Sequence, residues 1–171
     1  MALTLVSTVQ VPSGGAASIT FSNIPQTGKD LLLLLSMRSS YAGVSAIAGI
    51  RLNAVSSSYN VRELVGTNNT AYSSSSSDDS QFNRIVVNGN SATSNTFSNT
   101  SIFIPNYAGS TAKSLSAEAA AETNAATGEL RLVAGANTTV PAITSLTILT
   151  VMNPPSELWQ QHSTASLYII S

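Results

Sequence analysis

The sequence predicts an all-β domain, a sandwich or barrel of about ten short strands. Apolar stretches recur roughly every 8 to 15 residues, with Gly, Pro and Asn between them. The longest apolar run, Leu31 to Leu35, has five residues and is bounded by Asp30 and Ser36. A helix crossing a bilayer needs about 20 apolar residues, so this run reads instead as a strand buried on both faces. Ser and Thr number 29 and 18. Thr suits a pleated surface, and hydroxyls keep an outward face wet without charge.

The elements follow in order. Leu3 to Val11 alternates imperfectly and stops at Pro12-Ser13-Gly14-Gly15. Ser18-Ile19-Thr20-Phe21 is a short strand, and Leu31 to Met37 is the central one. Gly49 to Asn53 and Tyr59 to Val65 alternate as a neighbouring pair. Gln81 to Val87 ends at Asn88-Gly89, a pair that tolerates positive φ and predicts a hairpin. Thr96 to Ile104 is stopped by Pro105. Leu115 to Glu122 is rich in helix formers but barely two turns long, and Leu115, Ala117 and Ala119 share one strand face, so a strand is preferred. Leu130 to Val133, Ile143 to Val151 and Ala165 to Ile170 complete the set. Residues 67–80 hold five consecutive serines followed by Asp78-Asp79 and read as a mobile surface loop. Adjacent carboxylates on an extended chain point to opposite sides, which makes a poor calcium pair. One domain over residues 1–171 is expected.

Composition removes several function classes. Charged residues make up 9%, against about 25% in an ordinary domain. The net charge of −1 offers no basic field to a nucleic-acid backbone. Without cysteine there is no disulfide frame, thiolate nucleophile or Cys-type zinc site. The N-terminus has no basic stretch followed by an apolar block, so neither a signal peptide nor a membrane span is expected.

Little in the sequence points to catalysis. His162 is the single imidazole, and no G-x-S-x-G elbow, phosphate-binding loop or metal-ligand spacing accompanies it. Two carboxylates facing each other across a cleft would be the mark of a glycan hydrolase. Glu118 and Glu122 would share a face but read as surface solvation. The three N-glycosylation sequons are no more than the Ser and Thr content gives by chance. No catalytic residue, cofactor or metal is expected. Trp159, after Asn153-Pro154-Pro155, either plugs one end of the sandwich, anchors a contact between subunits or stacks on a sugar.

Several stretches carry a family likeness. They are Ile19-Thr20-Phe21-Ser22-Asn23-Ile24-Pro25-Gln26-Thr27 with Lys29-Asp30-Leu31, then Gly49-Ile50-Arg51-Leu52-Asn53 with Tyr59-Asn60-Val61-Arg62. Ile102-Phe103-Ile104-Pro105-Asn106-Tyr107, Glu122-Thr123-Asn124-Ala125-Ala126, Ala142-Ile143-Thr144-Ser145-Leu146 and His162-Ser163-Thr164-Ala165-Ser166-Leu167-Tyr168 follow in order. The set resembles small virion-associated proteins and tail or fibre modules of tailed bacteriophages of the marine and cyanobacterial type. Ile169 stands where such modules usually have Gly, and the Pro154-Pro155 region also departs.

The resemblance implies a jelly-roll-like antiparallel β-sandwich of about 8–10 strands and a structural, non-enzymatic role. The expectation is a capsid decoration or cement protein that binds the major capsid protein, located in the virion after synthesis in the host cytoplasm. A homotrimer is favoured, since closed symmetry is the default for oligomers. A tail-associated module gripping host polysaccharide is the alternative; aromatics clustered near Trp159, with Tyr59, Tyr72 or Tyr107, would mark it. The apolar N-terminal stretch 1–15 is expected to be a contact arm. Candidate interface residues are Leu3, Leu5, Val6, Val9 and Val11 on that arm, with Tyr107 and Trp159.

Overall fold

A computed structural model describes residues 2–124, 128–152 and 156–171. Ala125-Ala126 and Asn153-Pro154-Pro155 therefore lie outside the described residues. Among the described residues there are twelve strands and no helix. They are β1 (Leu3–Gln10), β2 (Ser18–Phe21), β3 (Asp30–Ser36), β4 (Ser45–Leu52), β5 (Tyr59–Thr67) and β6 (Thr70–Asp79). They continue as β7 (Phe82–Asn88), β8 (Asn99–Ile104), β9 (Lys113–Glu122), β10 (Gly128–Asn137), β11 (Leu146–Thr150) and β12 (Thr164–Ile170).

The strands form two antiparallel sheets packed into a β-sandwich, ordered β1-β12-β3-β8-β9-β10-β5-β6 and β2-β11-β4-β7. From β2 to β8 the chain changes sheet at every connection except the β5–β6 hairpin, and it returns to the small sheet at β11. This is the winding of a jelly roll. The β9–β10 hairpin is spliced into the large sheet between β8 and β5, and β12 and β1 extend its other edge. The small sheet contributes Ile19, Phe21, Ile50, Leu52, Ile85 and Ile148 to the core. The large sheet contributes Leu31, Leu33, Ile102, Leu115, Val133 and Leu167.

Four expectations are corrected. Leu31 to Leu35 is not buried on both faces. Leu31, Leu33 and Leu35 are buried, but Leu32 is half-buried and Leu34 is 39% exposed, because nothing covers the outer face of the large sheet among the described residues. The Ser-rich segment 67–80 is not a loop. Most of it is β6, paired with β5 from Thr67↔Thr70 to Tyr59↔Asp79. Ladder bonds come from the backbone, so weak side chains suffice once β5 offers an edge. Asn88-Gly89 does not make a hairpin, since β7 and β8 lie in different sheets. Asn88 is instead fully buried; its Nδ2 donates to Thr96 and its Oδ1 accepts from the Glu122 amide. A Cβ at Gly89 would lie 2.1 Å from the Gly43 carbonyl, so glycine is required there for close approach rather than for positive φ. Finally, twelve strands exceed the eight to ten expected. The surplus comes mainly from β6.

An ion cluster ties the far end of the large sheet to β7. Two residues of β7, Asn83 and Arg84, bulge between the Ala48↔Ile85 and Ile50↔Phe82 pairs, with Arg84 at φ 73°. A bulge re-aims a side chain. Here Arg84 Nη1 reaches Glu63 Oε1 at 2.7 Å, and Arg131 Nη1 reaches Glu63 Oε2 at 2.7 Å. Ser74 Oγ donates to the same carboxylate, and Arg131 also pairs with Glu129 at 2.5 Å.

Burial alone would raise the Glu63 pKa. Hydrogen bonds from Ser74 and Arg84 and the charges of Arg131 and Arg84 together outweigh it and hold the carboxyl below the ordinary glutamate range. The unfolded chain therefore takes up this proton first. The stabilisation is complete above the ordinary glutamate range and is lost as pH falls through the depressed folded value. Urea unfolding from pH 7 downward is expected to show this acid-side loss in the native chain and a smaller one in Glu63→Gln. Identical pH slopes would remove Glu63 as the cause.

Candidate functional site

The outer face of the large sheet is the candidate site. Side chains alternate along each strand, and the ladder registers line the outward ones up in rows. One row runs Thr8, Ser166, Leu34, Ser101, Glu118, Leu132, Leu64, Ser73 across all eight strands. The next runs Leu5, Tyr168, Leu32, Phe103, Ser116, Ala134, Arg62, Ser75. Leu130 is 61% exposed, Leu64 59%, Leu3 58%, Leu132 55% and Leu5 53%.

The relief follows from side-chain size. Ser116 and Ala120 on β9 and Ser101 on β8 are small, so β9 is the floor of a trough made of two adjoining hollows of about 780 and 620 Å³. Phe103 stands on one side. Leu64, Leu130 and Leu132 form an apolar ridge on the other, over β10 and β5. Two charges face outward here, Glu118 and Arg62. Arg62 Nη1 donates to the Val61 and Ser76 carbonyls. The Glu63 cluster lies on the opposite, inner side of the same strands and fixes the backbone beneath the ridge. Exposed apolar surface of this kind is unusual on a monomer and makes this face the candidate contact surface.

The residues expected from sequence are not all brought to this face. Leu3 and Leu5 lie on it, at the β1 edge. The stretch read as an arm is an edge strand, with Val6 and Val9 half-buried against the core and Val11 buried. Trp159 and Tyr107 are both fully buried. Trp159 Nε1 donates to the Ile148 carbonyl at 3.4 Å, and the Tyr107 hydroxyl donates to the Pro25 carbonyl. Tyr59 is also buried, its hydroxyl accepting from the Leu52 amide at 2.8 Å, while Tyr72 is exposed on β6. These four aromatics therefore form no exposed cluster for a sugar.

Leu64, Leu130, Leu132 and Phe103 were missed. The signal for Leu64, Leu132 and Phe103 was the pairs Leu64-Val65, Leu132-Val133 and Ile102-Phe103, apolar at both parities of a strand that needs only one apolar face for a sandwich core; Leu130, between Glu129 and Arg131, had no such pair.

For chemistry, His162 sits exposed in a turn at φ 72°. Glu63 and Glu129 are drawn together through Arg131, but both are locked in ion pairs inside the sandwich. Glu63, held ionised by these partners, cannot deliver a proton at neutral pH. Among the described residues no group of three or more His, Asp or Glu side chains could hold a metal, and no helix is long and apolar enough to cross a membrane. Compared with known proteins, the chain matches no family model, no curated protein and no solved structure.

Proposed function

We propose that this chain is a virion structural protein, a capsid decoration subunit that packs on its neighbours through the outer face of its eight-stranded sheet. The observation that carries the reading is that face: an apolar ridge and trough with few charges to desolvate. The ordered likeness of its sequence to phage virion proteins supplies the setting, and the jelly-roll winding suits it. The work is mechanical. A subunit that binds only the assembled shell stabilises that state by linkage. With only Glu118 and Arg62 as outward charges in the ridge and trough, association there leaves few ions to desolvate.

Cryo-electron microscopy of the particles encoded with this chain tests the reading. Density for a twelve-stranded sandwich on the shell is expected, with the large sheet turned toward a neighbouring subunit. Particles that lack the chain would overturn it, and density on the tail would favour the receptor-binding alternative.

The double variant Leu64→Ser with Leu132→Ser is expected to keep folding stability within about 0.5 kcal/mol, since both side chains are solvated in the free chain. Binding to particles depleted of the chain should fall by at least about tenfold, because each leucine contributes ~1.5–3 kcal/mol when fully buried. Unchanged binding would remove this face from the contact.

A further inference from the structure

We propose that the ridge and trough of the large sheet bind a second copy of this chain across a two-fold axis, with Arg62 of each copy opposite Glu118 of the other. The inference rests on reading this face as a contact surface, and it names the occupant.

Charge placement points to a copy of the same chain. Glu118 has no hydrogen-bond or ion-pair partner among the described residues, while Glu122, further along β9, is engaged by Thr93 and Thr96. The face thus presents one unpaired acid and one base whose guanidinium is tethered through a single nitrogen. Glu118 pairs in register with Leu132, Leu132 with Leu64, and Arg62 is one outward position further along β5. With ~4.8 Å between strands and ~6.7 Å between alternate residues, the two charges lie about 12 Å apart. Their midpoint falls on β10 between Leu132 and Ala134. A two-fold axis in the plane of the contact, through that point and perpendicular to the line joining the charges, carries Arg62 onto Glu118 of the other copy.

The same operation places Leu64 between Leu130 and Leu132 of the other copy, ridge against ridge, and Phe103 over the small Ala136. The strands of the two copies then cross steeply, as in orthogonal sheet packing. An isologous contact requires this reciprocity, with each residue meeting its counterpart twice. Because the strands cross steeply, two faces about 20 Å tall overlap over roughly 20 by 20 Å, so each copy covers about 400 Å² of the other, the area of a weak, reversible pair rather than a permanent one.

Sedimentation of the full chain tests the pairing. A species of about 35 kDa is expected, twice the 17.6 kDa of one chain. Arg62→Glu alone and Glu118→Arg alone each create two like-charge contacts across the axis, and each should raise the dissociation constant by about tenfold or more. The double exchange, Arg62→Glu with Glu118→Arg, should restore it to near the native value. Both positions are outward, so the far-ultraviolet circular dichroism of the three variants should match that of the parent and exclude unfolding, while the thermal midpoints of the two single variants fall only as far as the lost pairing requires. A monomer, a trimer, or a double variant as weak as the singles would overturn the two-fold pairing. A monomeric chain found on particles would sink this inference alone, and a pair absent from particles would sink the virion reading alone.

Discussion

Replacing Arg38 with alanine is expected to lower folding stability by about 3–4 kcal/mol, read as a fall in the urea midpoint at unchanged m-value. Arg38 follows β3 and is buried. Its Nη1 donates to the Thr93 carbonyl at 2.8 Å and the Thr96 carbonyl at 3.1 Å. Its Nη2 donates to the Asn90 and Ala92 carbonyls, both at 3.0 Å. One planar fork thus satisfies four carbonyls of the connection between β7 and β8, which crosses from one sheet to the other. Alanine would leave those oxygens facing a cavity. The Arg38→Lys variant should recover only part of the loss, because a point ammonium on a flexible stem cannot reproduce the fork. Hydrogen exchange should quicken first at the Ser98 amide, which is bonded to the Met37 carbonyl next to Arg38. A loss below about 1 kcal/mol would show that water replaces the guanidinium without penalty.

The second large effect is expected at Trp159. Trp159→Ala should cost about 3–5 kcal/mol, the range for removing a buried aromatic side chain and leaving a cavity. The indole is fully buried in the hydrophobic core, and its backbone bridges to Ala16 on one side and Ser39 on the other. The Trp159 amide donates to the Ala16 carbonyl at 2.8 Å, and the Ala16 amide donates to the Trp159 carbonyl at 3.0 Å. The residue closes the end of the sandwich where the segment before β12 passes between β2 and β3. Trp159→Phe should recover more than half of the loss by refilling most of the volume. A sugar-binding role predicts the opposite pattern, with stability unchanged and glycan binding lost. Thermal unfolding and a glycan array on the same variant separate the two.

The sequence reveals the strands better than their partners. Period-two alternation placed β2, β5 and β12, because each has one parity facing the core, whereas β3 was placed by its unbroken apolar run, which hid that only one of its faces is covered. Leu115 to Glu122 could be assigned to a strand because Leu115, Ala117 and Ala119 fall on the face that is buried. β6 was illegible for a physical reason: its side chains carry no apolar pattern, and it is a strand because β5 has a free edge beside it. Arg38 and Lys113 were illegible for a related reason. A buried cation is satisfied here by carbonyls from a distant or neighbouring turn, as where Lys113 Nζ donates to Gly109 and Thr111, and the sequence does not display such carbonyls. The candidate surface was half legible. Leu3 and Leu5 stood out at a terminus, whereas Leu64, Leu130 and Leu132 could be recognised only once their neighbours Val65, Arg131 and Val133 were seen to occupy the inner side.

The serine-rich edge strand has one more consequence. A sheet whose broad face is adhesive risks fibre growth if its rims also accept strands. Here one rim, β6, presents serines and ends in Asp78-Asp79, and the other, β1, is kinked by a bulge between Leu5 and Ser7. Hydrated hydroxyls, paired acids and a bent backbone all discourage lateral extension. The broad face can therefore carry exposed leucines without its rims templating cross-β growth.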